Sequence, residues 1–243
     1  MARLAGGIAG RRVRLPAIDQ LESELERRFV TARTRLTLTD RVLELVHPRS
    51  AEDLIDEADF ARDERLPYWA ELWPSGVMLA EGLSGLRGEG LRLLELGCGV
   101  GLVATAAVLA GFEVLETDYY EDALRFTRVN VARNTGVDPA TRILDWRAPP
   151  DDLGTFDVVV GADVLYERPY AELVADMLAR TISPSGRGMI ADPGRLAAPA
   201  FRAECRKLGL EVSSLGRVPF ASGKIRQQID VLEVRQGVEA SRR

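Results

Sequence analysis

Residues 91–101 read LRLLELGCGVG, and this stretch decides the fold. An apolar run broken only by Arg92 has the character of a buried strand, with Glu95 near its end. Gly97, Gly99 and Gly101 follow at alternate positions, and residues 102–111 are small and apolar, as a buried helix should be. Strand, glycine turn and helix is how a doubly wound α/β domain opens and where it takes a nucleotide-like ligand. Glycine permits the sharp turn and a close approach of backbone to ligand, and the first N–H groups of the helix have no partner within it. The same triplet also serves as an ordinary tight turn, so on its own it leaves both readings open.

Spacing narrows the ligand class. A dinucleotide-binding loop wants glycine at its first, third and sixth positions, and the sixth position here is Leu102. Glycine at the fifth position, with the carboxylate of Glu95 two residues ahead of the first, is a different pattern.

The 243 residues suffice for one α/β domain with a modest extension. Apolar and charged fractions of 46% and 28% are those of a globular chain. A formal charge of −5 argues against a general nucleic-acid binder. No apolar run approaches the roughly 20 residues needed to span a bilayer. Cys98 and Cys205 match no metal-ligand spacing and read as reduced thiols of a cytoplasmic protein, with no metal expected. Residues 1–16 carry Arg3, Arg11, Arg12 and Arg14 without an acid, the composition of a basic tail, with a transit peptide as the alternative. A second tail is expected at 237–243.

Leu21, Leu25 and Phe29 recur at intervals of four and predict an amphipathic helix over 17–29. Residues 30–47 predict a hairpin around Thr39-Asp40, its second strand covered on both faces at Val42 and Val46. The extension is thus expected over 17–65, ahead of a domain at 66–236. His47, the single histidine, has nothing beside it to form a dyad and reads as structural. Residues 66–75, LPYWAELWPS, crowd Tyr68, Trp69 and Trp73 ahead of a helix opened by Pro74. These rings either plug one end of a sheet or wall a ligand, with faces able to meet a cation.

The strand expected at 112–118 ends in Glu116-Thr117-Asp118. Asp118 lies about twenty residues past the first loop glycine, where a strand-end carboxylate takes ribose hydroxyls. Capping the next helix is the alternative, and Glu116 is the fallback for the ribose. Trp146, closing a short strand at 141–146, can lie on an adenine face or fill core. The run at 156–162 is apolar enough to be buried on both faces. It ends in Asp163-Val164-Leu165-Tyr166, a carboxylate and a phenol at the rim where such sheets bind ligands, or else a cap and a core phenol. A strand at 186–190 delivers Asp192-Pro193-Gly194-Arg195 to the same rim, where Asp192 and Arg195 could simply pair with each other. A helix at 198–208 and a hairpin around Ser222-Gly223 complete the chain.

Trp73, the ELGCGVG loop, Asp118 after Thr117, Leu144-Asp145-Trp146 and Gly161-Ala162-Asp163-Val164-Leu165-Tyr166 stand in an order that resembles the seven-β-strand S-adenosylmethionine-dependent methyltransferases of the lysine-modifying group, methyltransferase family 16. The resemblance covers residues 66–195. Pro67-Tyr68-Trp69-Ala70, Trp73-Pro74-Ser75-Gly76 and Asp192-Pro193-Gly194-Arg195 look most like the branch acting on the electron-transfer flavoprotein β subunit and its bacterial relatives. ADVLYE at 162–167 is closer to the broader lysine-methylating group.

The resemblance implies a Rossmann-like fold, with a doubly wound, mostly parallel seven-stranded sheet and helices on both faces. It implies S-adenosyl-L-methionine as cofactor, an amine as methyl acceptor, and a protein presenting lysine as partner. A small-molecule N-methyltransferase is the alternative, and a non-catalytic cofactor-binding module a third reading. A nicotinamide dehydrogenase is disfavoured by Leu102 and by the lack of a suitable histidine. Residue by residue, the resemblance puts Trp73, Glu95, Gly97, Gly99, Gly101 and Ala162 along the cofactor, Asp118 on its ribose and Trp146 on its adenine. Asp163 and Tyr166 become the catalytic pair at a lysine channel, with Tyr68, Trp69 and Arg195 on the acceptor side.

Overall fold

The computed structural model describes residues 11–12, 15–39, 41–54 and 66–237. A two-residue strand β1 (Arg11–Arg12) leads to α1 (Leu15–Arg28) and the hairpin of β2 (Thr31–Leu38) and β3 (Arg41–Pro48). After a 3-10 turn at Tyr68–Ala70 come α2 (Pro74–Ser84), β4 (Arg92–Leu96), α3 (Leu102–Leu109), β5 (Glu113–Asp118) and α4 (Glu121–Thr135). Then follow β6 (Val137–Asp138), β7 (Ala140–Ile143), β8 (Phe156–Ala162), α5 (Arg168–Thr181), β9 (Ile182–Asp192), α6 (Ala198–Lys207), β10 (Leu210–Ser222) and β11 (Ile225–Gln236).

Seven strands form one sheet in the order β10-β11-β9-β8-β4-β5-β7. The five strands from β7 to β9 are parallel, and β11 slots antiparallel between β9 and β10. From β4 the chain winds outward through β5 to β7, then returns to the other side of β4 to lay down β8 and β9. The direction therefore reverses between β4 and β8, and the crevice at their carboxyl ends is where such sheets take ligands.

Burial on both faces explains the unbroken apolar strands. Leu94 and Leu96 of β4 join Val159, Met177, Leu178 and Phe201 in the core under α5 and α6. Leu93 points the other way, to Leu79, Leu83, Val103 and Ala106 on α2 and α3. The expected doubly wound sheet is what forms.

The N-terminal extension is built into this scaffold. Leu38, Leu43 and Leu45 of the hairpin enter the core under α2 and α3, while Val46 packs on the other face with Leu25, Phe126 and Val129. Coverage of β3 on both faces thus holds at Val46 and not at Val42, which lies near the start of the strand and is 65% exposed. Buried Asn130 of α4 ties the hairpin to the glycine loop. Its Nδ2 donates to Val46 O at 2.8 Å and Val100 O at 2.7 Å, and its Oδ1 accepts from Val46 N at 2.8 Å. His47 is held within the hairpin: Nδ1 meets Pro48 O, an acceptor only, so it donates and Nε2 accepts from Thr34 Oγ1 at 2.8 Å.

Of the expected basic tail, Arg11–Arg12 pairs antiparallel with β6, and Leu15 and Pro16 belong to α1. Residues 1–10 and 13–14, Asp40 of the hairpin turn, 55–65 of the expected extension and 238–243 of the expected second tail lie outside the described residues. Among the described residues no helix is long and apolar enough to cross a membrane.

Candidate active site

The carboxyl ends of β4, β5 and β8 open into a cleft of about 1120 Å³, counting its mouth. Its floor is the glycine loop. Gly97 N and Cys98 N both donate to Thr117 O at 2.9 Å, folding the loop back over the end of β5. Gly97, Gly99 and Gly101 all have positive φ, which only glycine adopts without strain. A Cβ on Gly97 would sit 3.7 Å from the Trp146 ring, and one on Gly99 would come within 3.0 Å of Trp69 O. Gly99 thus lets the loop pack against the backbone at Trp69, and both glycines line the cleft.

Gly101 departs from the expected ligand contact. It does not line the cleft, and a Cβ there would lie 2.7 Å from Thr127 Cα, so its smallness serves the docking of α3 on α4. Gly101→Ala is expected to destabilise the fold by about 3 kcal/mol, combining strain at positive φ with overpacking. A melting temperature lowered by roughly 6–12 °C would be the readout.

Asp118 ends β5 at the rim, 6% exposed. Its Oδ2 accepts from Gly99 N and its Oδ1 from Tyr120 N, both at 3.0 Å. The helix cap itself is Tyr120, so Asp118 shapes the loop ahead of α4 and is not its N-cap. Burial pushes the carboxyl up to about 6 against the pull of the backbone amides around it. The amides of Gly99, Tyr119 and Tyr120 all point to it, and a carboxylate has about four acceptor sites, so capacity remains for a ligand hydroxyl.

Trp146 lies past the end of β7, because this edge strand stops at Ile143 and residues 144–146 peel away into the cleft wall. Its buried Nε1 has no hydrogen-bond partner among the described residues. A buried donor left without an acceptor is costly, and this one borders the cleft.

Glu95 and Glu116 are register partners on β4 and β5, both almost fully buried. Glu95 lines the cleft. Burial, then the neighbouring Glu116 and Asp118 charges, holds Glu95 well above the usual carboxylate range. Burial likewise pushes Glu116 up to about 7.

At the other end of the cleft stands Asp163, 7% exposed, with φ of 58° just past β8. Its Oδ1 accepts from Arg195 Nε at 2.7 Å and its Oδ2 from Ser75 Oγ at 3.3 Å. The Arg195 guanidinium also sits 5.5 Å from the centre of the Trp73 ring. Arg195 thus joins Asp163 and not Asp192, whose Oδ1 instead accepts from Gly194 N and Arg195 N at 2.7 Å and shapes the turn. Tyr68 meets Tyr166 at 5.2 Å and Trp73 at 6.1 Å, and Tyr166 meets Tyr170 at 4.4 Å, giving a continuous aromatic wall beside Asp163. Burial first, with Tyr170 alongside, raises the Tyr166 phenol far above its ordinary value, so it stays protonated and offers no base.

Of the residues singled out from sequence, Tyr68, Trp69, Trp73, Glu95, Gly97, Gly99, Asp118, Trp146, Ala162, Asp163 and Tyr166 line this one cleft. Arg195 stands behind it through Asp163. Trp69 differs from its expected acceptor-side position: packed with Phe29, Phe126 and Tyr120, it flanks the glycine loop. Ser75 has no role of its own in the sequence reading, and Tyr120 and Tyr170 have no signal there, since only the folding of α2, α4 and α5 onto the rim brings them together. Carboxylates predominate along the lining, at Glu71, Glu95, Asp118, Asp145, Asp163 and Glu167, against Arg147. Two of these carboxylates are ion-paired, Asp145 with Arg147 and Asp163 with Arg195, both at 2.7 Å. Among the described residues no cluster of His, Cys, Asp and Glu is arranged to hold a metal.

Residues 60–195 match the family model described as lysine methyltransferase. Over 138 residues the chain is 35% identical to the electron transfer flavoprotein beta subunit lysine methyltransferase of Xenopus laevis, covering 53% of each protein. It is 31% identical over 153 residues to ribosomal protein L11 methyltransferase of Ectopseudomonas mendocina, covering 61% of this chain and 47% of that one. A protein N-lysine methyltransferase of Xenopus tropicalis is 32% identical over 122 residues, 47% of this chain and 56% of that one. The chain therefore spans about half the length of the curated relatives it matches.

Two solved structures share the fold at low identity. The magnesium protoporphyrin IX methyltransferase of Synechocystis, solved with bound SAM, aligns with a TM-score of 0.54 at 16% identity over 76% of this chain and 94% of that one. A TehB-like SAM-dependent methyltransferase of Corynebacterium glutamicum gives 0.52 at 17% identity over 74% and 93%.

Proposed function

The chain belongs to the lysine methyltransferase family, and on that premise we propose that it transfers a methyl group from S-adenosyl-L-methionine to an amine, first of all a lysine side chain of a protein. The observation that carries this reading is the cleft itself. One acidic crevice joins a glycine floor, a rim carboxylate at Asp118, an orphaned indole N–H at Trp146, and an aromatic wall ending at Asp163. These groups fit the methyl donor: Asp118 for ribose hydroxyls, Trp146 for the adenine, Gly97 and Gly99 where its chain must pass close. Glu95 and Trp73 suit its cationic end. The names of the relatives, two of them lysine methyltransferases, favour lysine as acceptor.

When bound, S-adenosylmethionine supplies an electrophilic methyl group on a positively charged sulfur. The protein's task is to present a neutral amine in line with it and to keep water out. A free lysine holds its proton to about pH 10. An amine lying against the wall of Tyr68 and Tyr166 is desolvated, which lowers that value and frees the lone pair. Asp163 keeps lone pairs beyond those used by Arg195 and Ser75, and through them it orients the amine by hydrogen bonding. Its positive φ aims the carboxylate back over the cleft, and the Arg195 bridge holds it there. Tyr166 serves as wall. We place the protein in the cytoplasm, where buried thiols such as Cys98 and Cys205 stay reduced.

The test is incubation with methyl-labelled S-adenosylmethionine and a cell lysate. Label is expected in one or a few protein bands, at lysine by mass spectrometry of the digested band. Label confined to small molecules, or none above a heat-killed control, would contradict the reading.

A further inference from the structure

Glu116 has no part in the site as built so far, yet it is fully buried. It stands beside Glu95 in strand register, so both side chains leave the sheet on the same face. Outside the pair, neither Glu116 oxygen nor Glu95 Oε2 has a hydrogen-bond partner, and neither carboxyl has an ion-pair partner, among the described residues. The groups facing them are the Asp118 carboxyl at the end of β5, the Cys98 thiol on the loop, and the Ala104 N–H of α3, which points to Glu95. The remaining strand neighbours are Val160 on β8 and Thr141 on β7, neither charged.

Two carboxyls side by side in the interior cannot both be ionised cheaply, so such a pair keeps one proton between them. Glu116 has no outlet, whereas Glu95 opens on the cleft. A cation arriving over Glu95 favours the doubly ionised pair and expels the proton. The methyl donor carries one positive charge, on sulfur, that its thioether product lacks. Resting on the methyltransferase reading above, we propose that Glu95 and Glu116 act as one shared-proton pair that selects the cationic methyl donor over its neutral product, releasing a proton to solvent as the donor binds. Glu116 is then a specificity residue that never touches the ligand. The balance is simple: protonated pair plus donor gives the doubly ionised pair with bound donor and one free proton. Donor affinity accordingly rises by up to about tenfold per pH unit while the pair is protonated, then levels off.

Titration calorimetry of the intact protein with S-adenosylmethionine at pH 6, in two buffers of different ionisation enthalpy, counts the protons. The ligand's own amino group stays charged there, since such groups titrate near pH 8. Close to one proton is expected to leave per donor bound, and less than half as many per S-adenosylhomocysteine. Glu116→Gln should still bind donor but release less than half as many protons as the parent, and its preference for donor over product should vary less with pH. Equal donor enthalpies in the two buffers would overturn the proposal. So would undiminished release in Glu116→Gln, which would assign the proton to Glu95 alone or to Asp118 and leave Glu116 no part in it. Failure of the parent protein to bind donor at all would instead overturn the methyltransferase reading, and this proposal with it.

Discussion

Asp118→Ala is expected to lower affinity for S-adenosylmethionine by about 100-fold. A hydrogen bond from a ribose hydroxyl to a charged acceptor contributes roughly 1.5–3 kcal/mol, about 10- to 100-fold in affinity, before any disturbance of the loop is added. The substitution does further harm, because Asp118 also accepts from Gly99 N and Tyr120 N and so sets the shape of the loop. Asp118→Asn separates the effects: one side-chain oxygen can still serve a backbone amide, while the charge and half the acceptor capacity go. It should bind more weakly than the parent and more tightly than Asp118→Ala. Trp73 and Trp146 both line the cleft, so quenching of tryptophan fluorescence reads the affinity directly. Binding by Asp118→Ala within threefold of the parent would remove the carboxylate from the ligand.

The second large effect is expected at Asp163, and it falls on the rate. Asp163→Asn keeps the side-chain size, and asparagine tolerates the left-handed backbone that φ of 58° imposes. It removes the charge that holds Arg195 at 2.7 Å and that would orient the amine. Single-turnover methyl transfer is expected to fall by about 10²-fold or more, in the range of lost orientation and proton-handling groups. Affinity for S-adenosylhomocysteine should change little, because Asp163 ends β8 and Asp118 ends β5, with β4 between them. An unchanged rate with normal binding would take Asp163 out of the chemistry. Equal losses in both would instead make it a structural support of the whole cleft.

The central strands and the cleft were legible because their physics is local. Residues 156–162 are buried on both faces and read as strand to the residue, and the glycine loop announces its own turn. Misreadings occur where tertiary pairing overrides local signals. β9 begins at Ile182 and not at Gly186, since Pro184 and Gly186, ordinary breakers, are absorbed in a bulge at residues 183–186 that shifts the register against β8. β7 ends before Leu144 because an edge strand has no neighbour to hold residues 144–146 in line.

The same distinction governs the site. Asp118 and Asp163 lie on the cleft as expected because the strand ends at a switch point form its rim. The Arg195 partnership, the Ser75 hydroxyl on Asp163 and the position of Trp69 on the glycine loop depend on how β9, α2 and α1 fold over the rim, which no spacing encodes. Glu116 entered the sequence reading only as an understudy for Asp118. Its pairing with Glu95 follows from the β4–β5 register, and a register is a property of two strands together.

The most direct test of the whole account is a crystal structure of the protein with S-adenosylhomocysteine. The nucleoside is predicted to lie across the carboxyl ends of β4 and β5, with ribose hydroxyls on Asp118, adenine against Trp146, and sulfur turned toward Asp163 and Tyr166. A nucleoside bound elsewhere, or one in the cleft whose ribose leaves Asp118 untouched, would contradict it.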